Sequence, residues 1–279
     1  MRLHVGCAMW THRAWQPRSV PAAERLRYYA DRCNAVEGNT TFYATPARET
    51  VAAWAGQTDP DFRFVVKLPR HITHERRLAD AAGPLRHFLD AIAPLGPRTH
   101  AVWIQLPGSF APSDVPVLDR FLRRHPVAHR WAVEVRHPAF FADPSATRRL
   151  EETLAAAGAE WVPFDTTAFY RSPPTNDTER ATWTAKPRVA LRTRALTDRP
   201  IVRYLGRDAV AETVAGWQPW RAIVADWLRE GRSPTFFVHT PDDADALMLA
   251  RRFHADVRSL VPEVAPLPEP ASDEPLTLF

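Results

Sequence analysis

The sequence predicts a (β/α)8 barrel of the TIM type in a single domain, and three observations predict it. Eight short runs rich in Val, Ile, Phe or Trp recur along the chain, with helical patterns between most of them. Strands that alternate with helices pair in parallel through right-handed crossovers. The 279 residues match the size, about 250 residues, at which such barrels run as one domain.

The eight runs are Leu3–Trp10, Ala35–Tyr43, Phe62–Pro69, Ala101–Pro107, Trp131–Pro138, Glu160–Asp165, Pro200–Gly206 and Thr235–Thr240. Between them, helices are expected over Pro21–Cys33, Thr50–Gln57, Asp80–Leu95, Val115–Arg124, Ser145–Ala157, Val210–Glu230 and Asp242–Leu260. In Asp80–Leu95 the residues Leu85, Phe88, Leu89, Ile92 and Leu95 fall on one face. A doubly wound sheet would need a Gly-rich phosphate turn after the first strand, and Gly6-Cys7-Ala8-Met9-Trp10 supplies none. The connection Thr166–Arg199 is long, contains Pro173-Pro174 and carries a weak helical pattern near Asp177–Ala185. The domain is expected to span residues 1–261. Residues 262–279, with five prolines and four acids, are expected to form a disordered tail.

Composition narrows the function classes. No run approaches the ~20 apolar residues of a membrane span, and Met1-Arg2-Leu3-His4-Val5-Gly6 leads straight into a strand without an apolar signal region. The two cysteines, Cys7 and Cys33, make no disulfide framework and lack metal-ligand spacing. A cytoplasmic protein is expected. The net charge of +4 becomes +8 once the acidic tail is set aside, a balance suited to phosphate-bearing or nucleic-acid ligands. Of 36 Lys and Arg residues only Lys67 and Lys186 are lysines. Lys67 lies inside an apolar strand, where desolvation lowers a lysine pKa and makes it chemically useful in a way arginine is not.

Most of the strands end in polar residues, although buried barrel strands should be apolar. Glu37 and Asn39 fall on one side of the second strand, and Glu134 and Arg136 on one side of the fifth. Lys67 ends the third strand, with His74 shortly after it. Gln105 lies in the fourth, Asp165 ends the sixth, Arg203 lies in the seventh and His239-Thr240 end the eighth. Catalytic groups of such barrels collect at the carboxyl ends of the strands. Internal ion pairs, such as Glu37–Lys67 and Glu134–Arg203, that merely close the top would account for the same residues. His4, Arg63, His87 and His254 read as surface groups.

Five blocks in order resemble the YecE-like family, a domain of unknown function. They are Val36-Glu37-Gly38-Asn39-Thr40-Thr41-Phe42-Tyr43, Phe62-Arg63-Phe64-Val65-Val66-Lys67-Leu68-Pro69, Ile72-Thr73-His74-Glu75-Arg76-Arg77-Leu78, Ile104-Gln105-Leu106-Pro107 and Val133-Glu134-Val135-Arg136-His137-Pro138. The resemblance implies a TIM-type barrel, sometimes described as sugar-isomerase-related, without an established reaction. Two blocks depart from the family. Its usual Gly-Thr-Ser-Gly-Trp is Gly6-Cys7-Ala8-Met9-Trp10 here, and a terminal pair of asparagines is replaced by His239-Thr240.

The residues point first to an acid–base enzyme, a hydrolase, lyase or isomerase, acting on a phosphate-bearing or sugar-like ligand. Glu37, Lys67, Glu134 and Asp165 are its candidate catalytic groups. Trp10, Asn39, Tyr43, His74, Gln105, Arg136, His137 and Arg203 would bind the ligand, the last two arginines as an anion clamp. No cofactor is required. Glu37, Glu134, Asp165 and a nearby His are donors suited to a divalent metal, but Lys67 and two arginines already neutralise them. A non-catalytic ligand-binding barrel is one alternative. Another is a replication or repair protein, because Glu274-Pro275-Leu276-Thr277-Leu278-Phe279 resembles the peptide that binds the bacterial sliding clamp. Leu276, Leu278 and Phe279 would fill the clamp's groove, and the Arg-rich stretch Arg180–Arg207 would hold DNA phosphates.

Overall fold

The computed structural model describes residues 2–125 and 129–269. Its strands are β1 (His4–Cys7), β2 (Ala35–Gly38), β3 (Arg63–Lys67), β4 (Thr99–Gln105), β5 (Trp131–Glu134), β6 (Glu160–Trp161), β7 (Phe164–Asp165), β8 (Ile201–Leu205) and β9 (Thr235–His239). All pairings are parallel. One sheet runs β1-β9-β8-β7 and the other β2-β3-β4-β5-β6. The chain is a single α/β domain with helices between the strands.

Parallel strands are buried on both faces, and the two faces here belong to different clusters. Ala35, Val65, Ala101, Trp103, Ala132, Val162, Ile201 and Phe237 meet one another. Alternate residues such as Phe64, Val66, Val102, Ile104, Val133, Tyr204, Phe236 and Val238 pack in the larger cluster with the helices. The first set places Lys67, Glu134 and Arg203 on its own side at the carboxyl ends, because side chains alternate with period two.

Two junctions between the sheets depend on specific residues. The sixth apolar run is divided at Pro163, which has no N–H. Val162 N donates to Val133 O on the β5 side, while Pro163 O accepts from Arg203 N on the β8 side. Between β1 and β2 side chains replace the ladder. The Tyr29 hydroxyl accepts from Cys7 N at 2.7 Å and donates to Ala35 O at 2.8 Å. Asn34 accepts from Val5 N at 2.8 Å and donates to Leu3 O at 2.9 Å. Gly6 permits this approach, since a Cβ there would lie 2.0 Å from Ala35 O.

Several expected elements shift. The strand expected over Ala35–Tyr43 stops at Gly38, and Thr40–Tyr43 turns into a helix, with Thr41 Oγ1 donating to Lys67 O at 2.7 Å. The helix expected over Val210–Glu230 breaks into Val210–Gly216 and Gln218–Arg229, the second carrying Pro219 in its first turn. His4 and His254 are buried rather than at the surface. The expected boundary at residue 261 is crossed by packing, since Val264 and Leu267 are buried in the main core. Residues 270–279, and with them Leu276, Leu278 and Phe279, lie outside the described residues. No described helix is long and apolar enough to cross a membrane.

Replacing Tyr29 with Phe removes one hydroxyl and strands two buried backbone groups, each costing about 1–3 kcal/mol. Urea unfolding is expected to show that loss, whereas Tyr28→Phe should leave the midpoint in place. Burial, aided by Arg258 and Arg251, lowers the His254 pKa from 6.5 to about 4. The unfolded chain then takes up the proton first as pH falls through that window, so stability is lost between 6.5 and 4. His254→Leu is expected to flatten the fall in urea midpoint between pH 7 and 4.5.

Candidate active site at the carboxyl ends of the strands

Glu37 is the hub of the cluster. Its Oε1 lies 2.5 Å from Lys67 Nζ and 3.1 Å from Arg203 Nη2, and its Oε2 lies 3.0 Å from His239 Nε2. The four side chains come from β2, β3, β8 and β9, and all are buried. A carboxylate taken from water costs several kcal/mol unless paired. Burial pushes the Glu37 pKa up, but Arg203 and Lys67 outweigh it and hold the carboxyl well below its ordinary value.

Lys67 has three acceptors. Besides Glu37, its Nζ donates to Asn39 Oδ1 at 3.0 Å and Gln105 Oε1 at 3.1 Å. Three acceptors match the three protons of an ammonium and leave no lone pair aimed at a ligand. The group reads as a proton donor or electrostatic stabiliser rather than a nucleophile. Burial and the nearby Arg203 push its pKa down to about 8, with Glu37 and Glu134 opposing. Its charge also rests 4.8 Å from the Trp103 ring centre.

Glu134, at the end of β5, shares Arg203 with Glu37. Its Oε1 accepts from Arg136 Nε at 2.6 Å, while its Oε2 lies 3.6 Å from Arg203 Nη1, outside hydrogen-bond range. That oxygen is fully buried and has no hydrogen-bond partner among the described residues. Burial pushes this carboxyl up too, and Arg136, Arg203 and Lys67 bring it below its ordinary value. An ionised, buried oxygen with free lone pairs is the group most open to accepting a proton from a ligand.

His239 completes the inner set. Its Nε2 faces both Arg203 Nε at 3.1 Å and Glu37 Oε2 at 3.0 Å. A neutral ring satisfies only one of these neighbours at a time, whichever nitrogen carries the proton, so the Glu37–His239 contact is suited to proton exchange. Burial and Arg203 lower the His239 pKa, against the pull of Glu37.

Other expected residues lie at the rim or away from it. Arg136 is half-buried above Phe164, 5.6 Å from the ring centre. His74 sits on a π-helical turn, His71–Glu75, edge-on to Phe42, and burial with Arg136 and Arg70 lowers its pKa to about 4. His137 Nδ1 accepts from Ala139 N, which ties the ring to the helix start that follows. Four assignments change. Asp165 turns outward, its carboxylate taken by Thr167 N and Oγ1 and by Trp220 Nε1 at 2.7 Å, so it is a structural anchor outside the cup. Trp10 packs edge-on against Trp54 in the helix layer, and Tyr43 is 70% exposed on the turn after β2. Arg203 is no solvent-facing clamp, because it is buried between Glu37, Glu134 and His239.

With Asp165 turned away, the expected carboxylate set for a metal does not assemble. Among the described residues no group of three or more His, Cys, Asp or Glu side chains stands close enough to hold an ion. The arginines of 180–207 differ in their surroundings. Arg203 and Arg207 are buried, and Arg180, Arg192, Arg194 and Arg199 pair with Asp177, Glu151, Glu151 and Asp198.

Sequence reasoning missed two features of the 166–199 connection. Arg207 and Glu179 form a fully buried pair, with Nη2 to Oε2 at 2.6 Å, and Arg207 also holds Ser172 O and Pro173 O. Lys186 approaches the cup from the same connection. Burial lowers its pKa, and the charges acting on it are those of Arg203, Arg136, Glu37 and Glu134. The scarcity of lysine was the available signal, but nothing in a loop sequence says which way a residue will lean.

The comparisons with known proteins agree with this architecture. The family model described as "Protein of unknown function DUF72" matches residues 4–273. The chain belongs to the DUF72 family. It is 34% identical over 266 residues to the UPF0759 protein YecE of Escherichia coli strain K12 and of strain O157:H7, covering 95% of this chain and 96% of the relative in each case. Among solved structures it resembles a DUF72 family protein from Thermotoga maritima MSB8, with a TM-score of 0.69 and 20% identity over 94% of this chain and 100% of the other. A DUF72 family protein from Enterococcus faecalis V583 superposes with a TM-score of 0.68 at 18% identity, over 94% of this chain and 98% of the other. At such identities these two structures speak for the fold of the DUF72 chain alone.

With two lysines, a chain carrying isotope-labelled lysine gives a readable NMR titration. The Lys67 side chain is expected to titrate near pH 8. Glu37→Gln, which removes the strongest charge holding its proton, should move that midpoint lower. A midpoint at the ordinary lysine value in both forms would refute the buried pairing.

Proposed function

We propose that the two sheets form one closed (β/α)8 barrel and that its carboxyl-end cup is the active site of an acid–base enzyme. The hydroxyl and amide bridges between β1 and β2, and the division of the sixth run at Pro163, support the closed ring. The enzyme acts on a small phosphate-bearing or sugar-like molecule, by isomerisation, elimination or hydrolysis.

One observation carries the reading. Two carboxylate oxygens of the cup, Glu37 Oε1 and Glu134 Oε2, are fully buried without a hydrogen-bond partner among the described residues; Glu37 Oε1 has two cations within 3.1 Å, whereas the ionised Glu134 has Arg203 no nearer to its Oε2 than 3.6 Å. Leaving such an oxygen unpaired costs about 1–3 kcal/mol or more; a ligand hydroxyl or an acidic C–H would fill the gap. Glu134 then serves as general base. The Lys67 ammonium stabilises the negative charge that develops, or returns the proton, and Glu37 with His239 resets the proton inventory. A purely structural ion cluster would be expected to satisfy both oxygens of each carboxylate.

The test is proton exchange. The full-length protein is incubated in D₂O with a panel of aldoses, ketoses and their monophosphates, and C–H loss or conversion is followed by proton NMR. At least one compound is expected to exchange, with Glu134→Gln slower by about 10²–10⁴-fold, the usual contribution of a positioned base. Exchange by neither form, or equally by both, would contradict the reading.

A second reading concerns partners. The terminal Leu276-Thr277-Leu278-Phe279 supports recruitment to the DNA sliding clamp. In a pull-down, the chain truncated after Ser272 is expected to lose clamp binding that the full chain retains; equal recovery would end the idea.

A further inference from the structure

Arg203 and Lys67 cannot serve as an outer anion clamp, because both are buried against Glu37, with His239 on Arg203 and with Asn39 and Gln105 on Lys67. The cations with donors still to give lie nearer the rim. Arg136 commits Nε to Glu134, and among the described residues its two Nη groups have no acceptor. Lys186 is the other. The carboxylates whose charge acts on it, Glu37 and Glu134, are already taken by Lys67, Arg203 and Arg136, and among the described residues no carboxylate pairs with its Nζ.

The backbone around Lys186 is held in place. Tyr170 OH donates to Lys186 O at 2.6 Å, and Thr166 Oγ1 donates to Pro187 O at 3.1 Å. Thr166 directly follows β7, whose Phe164 ring carries Arg203 and Arg136 at 4.4 and 5.6 Å from its centre. The connection therefore carries the backbone of Lys186 to the end of β7, the strand whose Phe164 lies under Arg136, and the charges acting on Lys186 include that of Arg136. Its far end is anchored by the buried Arg207–Glu179 pair, so this placement does not require the ligand. The chain has 34 arginines beside its two lysines, and the same charges, those of Arg203, Glu37 and Glu134, act on both lysines.

We propose that Lys186 and the Nη groups of Arg136 form the anion-binding subsite of the cup, which holds the phosphate of a small monophosphate ester while the rest of the molecule points down to Glu134. This rests on the cup being the ligand site, and it supplies the substrate class: a phosphomonoester rather than a neutral sugar. Two like charges brought together without a counter-ion repel each other; an incoming dianion removes that repulsion and accepts charge-assisted hydrogen bonds from both.

Inorganic phosphate is the probe, titrated into the full-length protein by calorimetry at constant ionic strength, with sulfate and chloride as comparison anions. Phosphate is expected to bind, with Lys186→Gln weaker by about 10–100-fold, the worth of one charged hydrogen bond, and Lys186→Arg close to the parent. Urea unfolding of Lys186→Gln without phosphate should match the parent, which excludes a folding defect as the cause. Equal phosphate affinity in Lys186→Gln and the parent would overturn the role of Lys186. Absence of phosphate binding by the parent would overturn the subsite altogether. In either case exchange of an unphosphorylated sugar in the D₂O assay would leave the acid–base reading standing, so the two failures can be told apart.

Discussion

Glu37 stands between Lys67 at 2.5 Å and Arg203 at 3.1 Å with no access to water, and the upper half of the molecule is organised by that constraint. A buried ionised carboxylate is tolerated only when cations and hydrogen bonds replace its hydration. Supplying them draws one residue from each of several strands to a single point. Arg203 in turn stands 3.6 Å from Glu134, whose Oε1 takes Arg136. The charges thus form a chain from the centre of the cup to its rim. Removing one member leaves a buried charge without its partner, a cost of about 3–5 kcal/mol where buried pairs are broken.

The chain of charges also divides the work. The inner members, Glu37, Lys67 and Arg203, are buried and held against one another by short ion pairs. Unfilled bonding capacity sits at the Glu134 Oε2 and, toward the rim, at Arg136 and Lys186. An aromatic floor of Trp103 and Phe164 under the cations keeps the local dielectric low. In such surroundings proton transfers between fixed groups are strongly coupled, which is what acid–base chemistry near neutral pH requires.

Much of this was legible in the sequence, for an identifiable reason. Parallel strands all end at one rim, so polar residues breaking apolar runs at Glu37, Lys67, Gln105, Glu134, Arg203 and His239 had to converge there, and they do. The period-two rule also placed Asn39 beside Glu37, although the strand itself ends at Gly38. The same rule explains Asp165. It follows Phe164, which faces the cup, and therefore points out to Trp220. Tyr29 and Arg207 were not legible, because a helix residue that bridges two strands and an arginine that pins a distant loop depend on tertiary placement. Trp10 and Tyr43 were misplaced because their strands end earlier than the apolar pattern does.

The central claim is that Glu37 and Lys67 are an obligate buried pair rather than two tolerated charges, and a double-mutant cycle measures this directly. Glu37→Gln, Lys67→Met and the double variant are compared with the parent by urea unfolding at pH 7. Each single change is expected to strand a charge, and the double change to cost less than the sum of the two by about 2 kcal/mol or more, within the range seen for residues sharing one network. Additive losses would show that the two groups do not depend on each other, and the account of the cup would fail with them.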